Sequence, residues 1–357
     1  GSGYMSNTFG KKLTLTTFGS SHGEAVGGVV DGFPRGIAIN FDKVRRETAR
    51  RKTGVLPFSS QRNEDDEAVF ISGIECGVST GFPIAFFIKN TNARSGDYDK
   101  IREVFRPSHS DFTYHKKYGI TDFAGGMRAS GRETVSWVVA GSLAKQALEE
   151  QGIEIASYIR QIGTVVDRAV YRQSDIRRIE HNSLPTPDSN IADKMLEELE
   201  AAQRDGDSLG GVVCCIVSGV PAGRVGNPIF DKLSSRLAAA MLTIPSAKGF
   251  DYGDGFELAA MCGSAANDIF TNRGGFVRTA TNHSGGIQGG ISNGEDITFR
   301  VAFKPVPSIG RPQQTVDIHG VERTIEIRGR HDVCIVPRVL PVVEALAALV
   351  VLDMMQC

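Results

Sequence analysis

A chain of 357 residues with a formal net charge of −1, 41% hydrophobic and 23% charged, has ample material for an apolar core. It lacks the positive excess that general nucleic-acid binding requires, so no nucleic-acid partner is expected. No uncharged apolar run approaches membrane-spanning length and no signal-peptide core opens the chain, so the expectation is a cytoplasmic protein with no membrane partner.

The leading Gly1–Tyr4 reads as a cloning remnant. No linker, low-complexity tract or short-period repeat divides the rest of the chain, so residues 5–357 are expected to form a single domain. "KLTLTTFG", "AVGGVVDGFP" and "IAINF" read as short strands, the last two joined by a Gly-Phe-Pro turn. "FDKVRRETARRK" reads as a helix; six bases against one acid over 43–52 make either a solvated face or one wall of an anion pocket. "AVFISGIECG" and "TGFPIAFFIKN" form a strand pair, residues 132–151 the clearest helix of the first half, and "IASYIRQIGTVV" a strand. Residues 189–208 predict an amphipathic surface helix capped by Ser or Asn, with Ile191, Met195, Leu196 and Leu199 on one face. "GGVVCCIVSGV" predicts a strand with Cys214 and Cys215 on opposite faces; with no CxxC pair among six cysteines, free thiols are expected. A helix over 230–244, an alternating strand "DITFRVAFKPVP" and a helix over 341–355, apolar nearly all round, complete the chain. Hairpin-like strand pairs interleaved with helices indicate α/β architecture of the α+β kind, with antiparallel sheets.

Chemistry concentrates in loops. In "GGMRASGRET", Gly125, Gly126 and Gly131 admit close backbone approach, Arg128, Ser130 and Arg132 donate, and the following helix aims its positive end at the same place, which makes an anion site. Further arginines sit near glycines at Arg94, Arg106, Arg328 and Arg330, which suits a small polyanion. His22 lies between Ser21 and Gly23, and His109 follows Arg-Pro-Ser; both are acid–base candidates, weighed against ordinary structural histidines. His331 and Cys334 alone make a weak metal motif, and no metal site is expected. "TNHSGGIQGGISNGEDI" (281–297) holds five glycines, but no Walker or Rossmann spacing.

"TTFGSSHG", "RPSHSDFTYHKKYG", "GGMRASGRET", "NHSGGIQGGISNGEDI", "KPVPSI" and "GRHDVCIVPR", in this order, resemble the chorismate synthase family along essentially the whole chain. The resemblance implies a β-α-β sandwich with helices packed between antiparallel sheets, and a homotetramer. The implied reaction is 1,4-trans elimination of phosphate from 5-enolpyruvylshikimate 3-phosphate to chorismate, with reduced FMN and no net redox change, and NADPH as a candidate reductant. It assigns catalysis to His22 (flavin N(1)), His109 (acid beside the departing phosphate) and Asp332 (flavin N(5)). Flavin contacts fall on Arg128, Ala129, Ser130, Pro245, Ser246, Gly289, Lys304, Pro305, Val306, Pro307, Ser308 and Arg330, and substrate or NADP contacts on Arg50, Arg51, Arg106 and Arg132. The glycines of 281–297 are then expected to let main chain lie against the flavin ring. The chain departs from the family pattern at Ser20, Met127, Ala129, Gly131, Thr53 and Pro57, and the last two fall where NADP contacts are described. Two rivals are a non-catalytic flavin or polyanion sensor and a phosphatase; the latter lacks an evident nucleophile–base pair or metal cluster.

Overall fold

The structure, a computed structural model, describes residues 6–52, 66–91, 103–120, 128, 130–180, 184–327 and 331–356. Alternating side chains build two antiparallel five-stranded sheets. The first contains β1 (Thr8–Phe9), β2 (Thr14–Gly19), β3 (Ala25–Asp31), β4 (Val69–Phe70) and, after the small hairpin β5 (Ile74–Glu75) and β6 (Val78–Ser79), β7 (Ile84–Lys89). Its order is β1-β2-β3-β7-β4. The second contains β8 (Glu154–Ile162), β9 (Val165–Val166), β10 (Gly211–Ser218), β11 (Ala247–Tyr252) and β16 (Ile297–Phe303), in the order β11-β16-β10-β8-β9. Three further hairpins lie outside them: β12 (Phe270–Arg273) with β13 (Phe276–Thr279), β14 (Ile287–Gln288) with β15 (Ile291–Ser292), and β17 (Gln313–Val316) with β18 (Glu322–Ile325).

Between the large sheets lie α3 (Thr134–Glu149) and α8 (Val336–Met355), with α1 (Phe41–Arg50) packed against both. The two inner helices approach closely because Gly141 faces Ala345: a Cβ at Gly141 would stand 2.2 Å from the alanine methyl. One hydrophobic cluster runs from Leu13, Val26 and Phe86 through Val139 and Leu143 to Ile159, Val213, Phe299 and the length of α8. The remaining helices, α2 (Asp111–Tyr118), α4 (Gln173–Arg177), α5 (Ser189–Arg204), α6 (Leu233–Leu242) and the short α7 (Gly263–Ala266), lie outside that layer or beside it.

The expected sandwich forms, with four local corrections. "IAINF" is not a strand: Ala38 makes a single bridge to Val78, because Asn40 immediately turns the chain to cap α1, its side chain accepting from the Asp42 and Lys43 amides. Asp188, not Ser or Asn, caps α5. Helix α6 is shorter than 230–244, and Ile229 and Phe230 stand exposed before it. Helix α8 starts at Val336, not at 341. Pro337 fits the first turn, and Pro341 is carried inside because packing on every side outweighs one lost hydrogen bond. Cys214 and Cys215 do face opposite ways, the first towards Tyr158 and the second into the main core. Among the described residues the thiols of Cys76, Cys214, Cys215, Cys262 and Cys334 are free, and no helix is long and apolar enough to cross a membrane.

Candidate functional site

His22 occupies the turn between β2 and β3, whose strands pair up to Gly19 and Val26. Its Nδ1 lies 2.9 Å from the Ser21 hydroxyl. Just past β7, Asn90 closes this turn by donating Nδ2 to the carbonyls of Ser20 (2.9 Å) and Gly23 (2.8 Å). Asn90 in turn accepts from Arg132 Nε at 2.9 Å, so the His22 turn rests on the segment that leads into α3. Arg128 ties the same loops again, donating to Gly19 O (3.0 Å), Thr17 Oγ1 (2.9 Å), Asn7 Oδ1 (2.7 Å) and Glu133 Oε2 (2.8 Å). Ser130 accepts from the Arg132 amide and starts the 3₁₀ turn Gly131–Glu133 that leads into α3. Burial raises the Glu133 carboxyl above its ordinary value, while Thr17, Arg128 and Trp137 pull it back.

Arg51 and Arg132 are both buried and share Asp66. Arg51 also donates Nε to Thr134 Oγ1 (2.8 Å) and Nη2 to Gly131 O (2.9 Å). Its own carbonyl accepts from Arg338 Nε at 3.0 Å, and Arg338 pairs through Nη1 with the buried Asp332. From there the contacts continue: Val333 O accepts from the Leu209 amide (2.8 Å), and Ser208 Oγ donates to Val306 O (2.6 Å). Ser308 stands 3.1 Å from His109 Nε2, Lys304 donates to Ser108 O at 2.7 Å, and the Lys304 amide donates to Ser246 O at 3.0 Å. A continuous run of hydrogen bonds and short backbone steps therefore joins His22, Arg128, Asp332 and His109, though their motifs are scattered over the sequence.

His109 has a defined tautomer. The Pro107 carbonyl, 3.1 Å from Nδ1, can only accept, so Nδ1 carries the proton and Nε2 of the neutral ring faces Ser308. Burial first, then the Arg106 charge, push the imidazole down to about 4; Asp111 and the Pro107 carbonyl oppose this, and Lys304 adds to it. Lys304 is itself lowered by burial and by Lys248.

Two of the expected arginines are committed elsewhere. Arg106 is buried against Asp111, with Nε and Nη2 each donating at 2.8 Å, so its charge reaches the site as a field on His109. Arg50 points away from Arg51, into a cluster where Glu344 accepts from it at 2.9 and 2.7 Å and also from Lys145 and Ser157. Burial alone would raise Glu344; Arg50 and Lys145 more than offset it and hold the carboxyl below the ordinary range. His331 Nε2 donates to Ile327 O at 2.9 Å. Ala129, Arg330, Met127, Thr53 and Pro57 lie outside the described residues.

The glycine-rich stretch needs a different explanation from the one expected. All four paired glycines have positive φ. A Cβ at Gly285 would stand 2.4 Å from Gly253 N, at Gly286 2.5 Å from Asp296 O, and at Gly290 2.5 Å from Asn227 O. Those three are bare so that the chain can pack on its own backbone. Only Gly289 of the four opens onto free space. It sits at the start of α6, since Gly290 O accepts from the Leu233 amide, whereas Pro245 and Ser246 follow the other end of that helix, about 15 Å along its axis.

The family model for chorismate synthase matches residues 13–356. The chain belongs to the chorismate synthase family. A chorismate synthase of Bacteroides thetaiotaomicron is 49% identical over 349 residues, covering 98% of this chain and 97% of that protein. One of Phocaeicola vulgatus is 50% identical with the same coverage of each chain, 98% and 97%. A solved structure titled "Crystal Structure of Chorismate Synthase" superposes with a TM-score of 0.74 at 28% identity, over 97% of this chain and 92% of its own. With family and fold agreeing, the chain is a carbon–oxygen lyase that makes chorismate by eliminating phosphate from 5-enolpyruvylshikimate 3-phosphate.

Chorismate synthases work with reduced FMN, and the residues present suit that group. Burial and then Lys248 disfavour the charge on Lys304, a cost that an anionic phosphate relieves. Ser308, whose hydroxyl stands 3.1 Å from His109 Nε2, lies on the same segment as Lys304, and at the other end of α6 from Ser246, Gly289 opens onto free space. The motifs did not single out Asp66, Asn90, Glu133, Asp111 or Arg338. The last three stand inside quoted motifs and were legible there as charges needing partners; Asp66 and Asn90 carry no local signal.

Proposed function

We propose that the elimination is carried out at the junction of the β2–β3 turn, the Arg128–Thr134 segment, the Lys304–Ser308 segment and the Asp332 loop. The run of contacts joining His22, Arg128, Asp332 and His109 carries this proposal. When bound, reduced FMN lends electron density to the allylic system as phosphate departs, and recovers it. Pro245, Ser246, Lys304–Ser308, Arg128 and Ser130 hold it, with Ala129 and Arg330 assigned the same task by resemblance, and Gly289 as a separate contact. His22 holds a proton at the flavin N(1) side and Asp332 handles the proton arriving at N(5). His109 is the acid for the departing phosphate.

That role needs a proton which the protein's own groups do not favour at neutral pH, because burial, Arg106 and Lys304 keep the ring neutral. The substrate phosphate supplies the missing negative charge, so the acid is made by the group it serves. Arg51 and Arg132, each sharing Asp66, present oriented and partly neutralised guanidinium groups to the substrate carboxylates.

We further propose one domain over residues 5–357, a cytoplasmic location and a homotetramer. A continuous core supports the first. The exposed Phe256, Phe270, Phe276 and Val277 around the β12–β13 hairpin form an apolar surface suited to another copy of the chain. NADPH serves as the reductant in this reading, while Arg51 is kept for the substrate, since Thr53 and Pro57 stand where the family's NADP contacts are described.

The test is anaerobic incubation with 5-enolpyruvylshikimate 3-phosphate and chemically reduced FMN, and separately with oxidised FMN plus NADPH. Chorismate formation only with reduced flavin is expected. Phosphate release without flavin would mean a phosphatase, and no turnover would mean a binding protein. Activity with NADPH alone as electron source decides the reductant.

A further inference from the structure

We propose that Arg338 is a positioning residue that sets the Asp332 carboxylate in register with the Arg51–Arg128 half of the site. Arg338 stands in the first turn of α8, six residues beyond Asp332, and spends its guanidinium on two acceptors from different parts of the fold. Nη1 pairs with Asp332 Oδ2, and Nε donates to the Arg51 carbonyl at 3.0 Å. That carbonyl belongs to the C-cap of α1, where the helix's partial negative charge favours a cation. Arg51 is held from its other end as well, through Nη2 to Gly131 O and Nη1 to Asp66, so it cannot follow a drifting Arg338. The Asp332 loop has its own anchor, the Leu209 amide on Val333 O, but that bond holds backbone and not the side chain. The planar guanidinium orients the carboxylate, because its two used N–H groups diverge at a fixed angle. A lysine at this position would keep the charge near Asp332 but could not serve both acceptors with fixed geometry.

The inference rests on the reading of Asp332 as the group that handles the flavin N(5) proton, so its test separates the two. Turnover, KM and the pH profile of kcat are measured for Arg338→Met, Arg338→Lys, Asp332→Asn and the double variant Arg338→Met with Asp332→Asn. Two further readouts do not use turnover: the absorbance spectrum of bound FMN, and hydrogen exchange of the peptides covering 46–52 and 331–338. Arg338→Met is expected to lower kcat about 10–100-fold, with KM for 5-enolpyruvylshikimate 3-phosphate changed less than about 3-fold and the pH profile displaced. Arg338→Lys should recover part of the loss. Exchange should quicken in those two peptides only, and the flavin spectrum of Arg338→Met should move in the same direction as that of Asp332→Asn. In the Asp332→Asn background the second substitution should cost nothing further. Full multiplication of the two losses in the double variant would mean that Arg338 acts independently of Asp332, and overturns the proposal. Normal turnover in Arg338→Met with impaired Asp332→Asn removes Arg338 alone. Normal turnover in Asp332→Asn removes the reading of Asp332, and the proposal with it.

Discussion

His109 should take up a proton when phosphate binds, and the size of the effect follows from its surroundings. The fold holds the ring at about 4 against an ordinary value of 6.5, through burial, Arg106 and Lys304. A negative charge at about 4 Å and an effective dielectric near 20 contributes about 4 kcal/mol. That is roughly three pH units, enough to return the midpoint to about 7, and a second phosphate charge pushes further in the same direction. Binding of the substrate at pH 7 should therefore absorb about half to one proton per site. Titration calorimetry in buffers of different ionisation enthalpy reads this directly. In His109→Gln the uptake should vanish, and turnover should fall by about 10²–10⁴, the usual weight of a general acid. The sign can be checked in the protein alone. The folded state prefers the neutral ring, so the stability is fully present above pH 6.5 and is lost as pH falls towards 4. His109 contributes at most about 3 kcal/mol to that slope, and His109→Gln should flatten it. Zero proton uptake in the native protein, or the same uptake in the variant, would refute the assignment of the acid.

Gly289→Asn, which tolerates positive φ, should leave the urea midpoint nearly unchanged yet weaken FMN binding in a fluorescence titration; unaltered affinity would detach Gly289 from the flavin. Gly141→Ala puts a methyl 2.2 Å from Ala345 Cβ and should destabilise by about 1–3 kcal/mol in urea unfolding, despite the better helix former. Glu344→Ala leaves Arg50 and Lys145 facing each other without their acid and should cost about 3–5 kcal/mol, and Lys145→Met combined with Glu344→Leu should recover part of it.

The sequence by itself determined the periodic elements of the two sheets and the helices packed on them. The alternation of β16 between buried and half-buried residues, the amphipathic α5, the opposed Cys214 and Cys215, and the apolar α8 are all periodic, and periodicity is a local property of the chain. The glycine- and arginine-bearing loops were legible for the same reason, since each motif is contiguous. Tertiary structure alone decided which charge meets which. Arg50 and Arg51 are neighbours in sequence, yet one pairs with Glu344, 294 residues away, and the other with Asp66. It also decided that Gly285, Gly286 and Gly290 make room for their own backbone while Gly289 faces outward. Ion pairs and close approaches depend on where distant segments meet. The same arginine or glycine has no preference that its neighbours in the chain can reveal, so packing of the two sheets around α3 and α8 makes those choices.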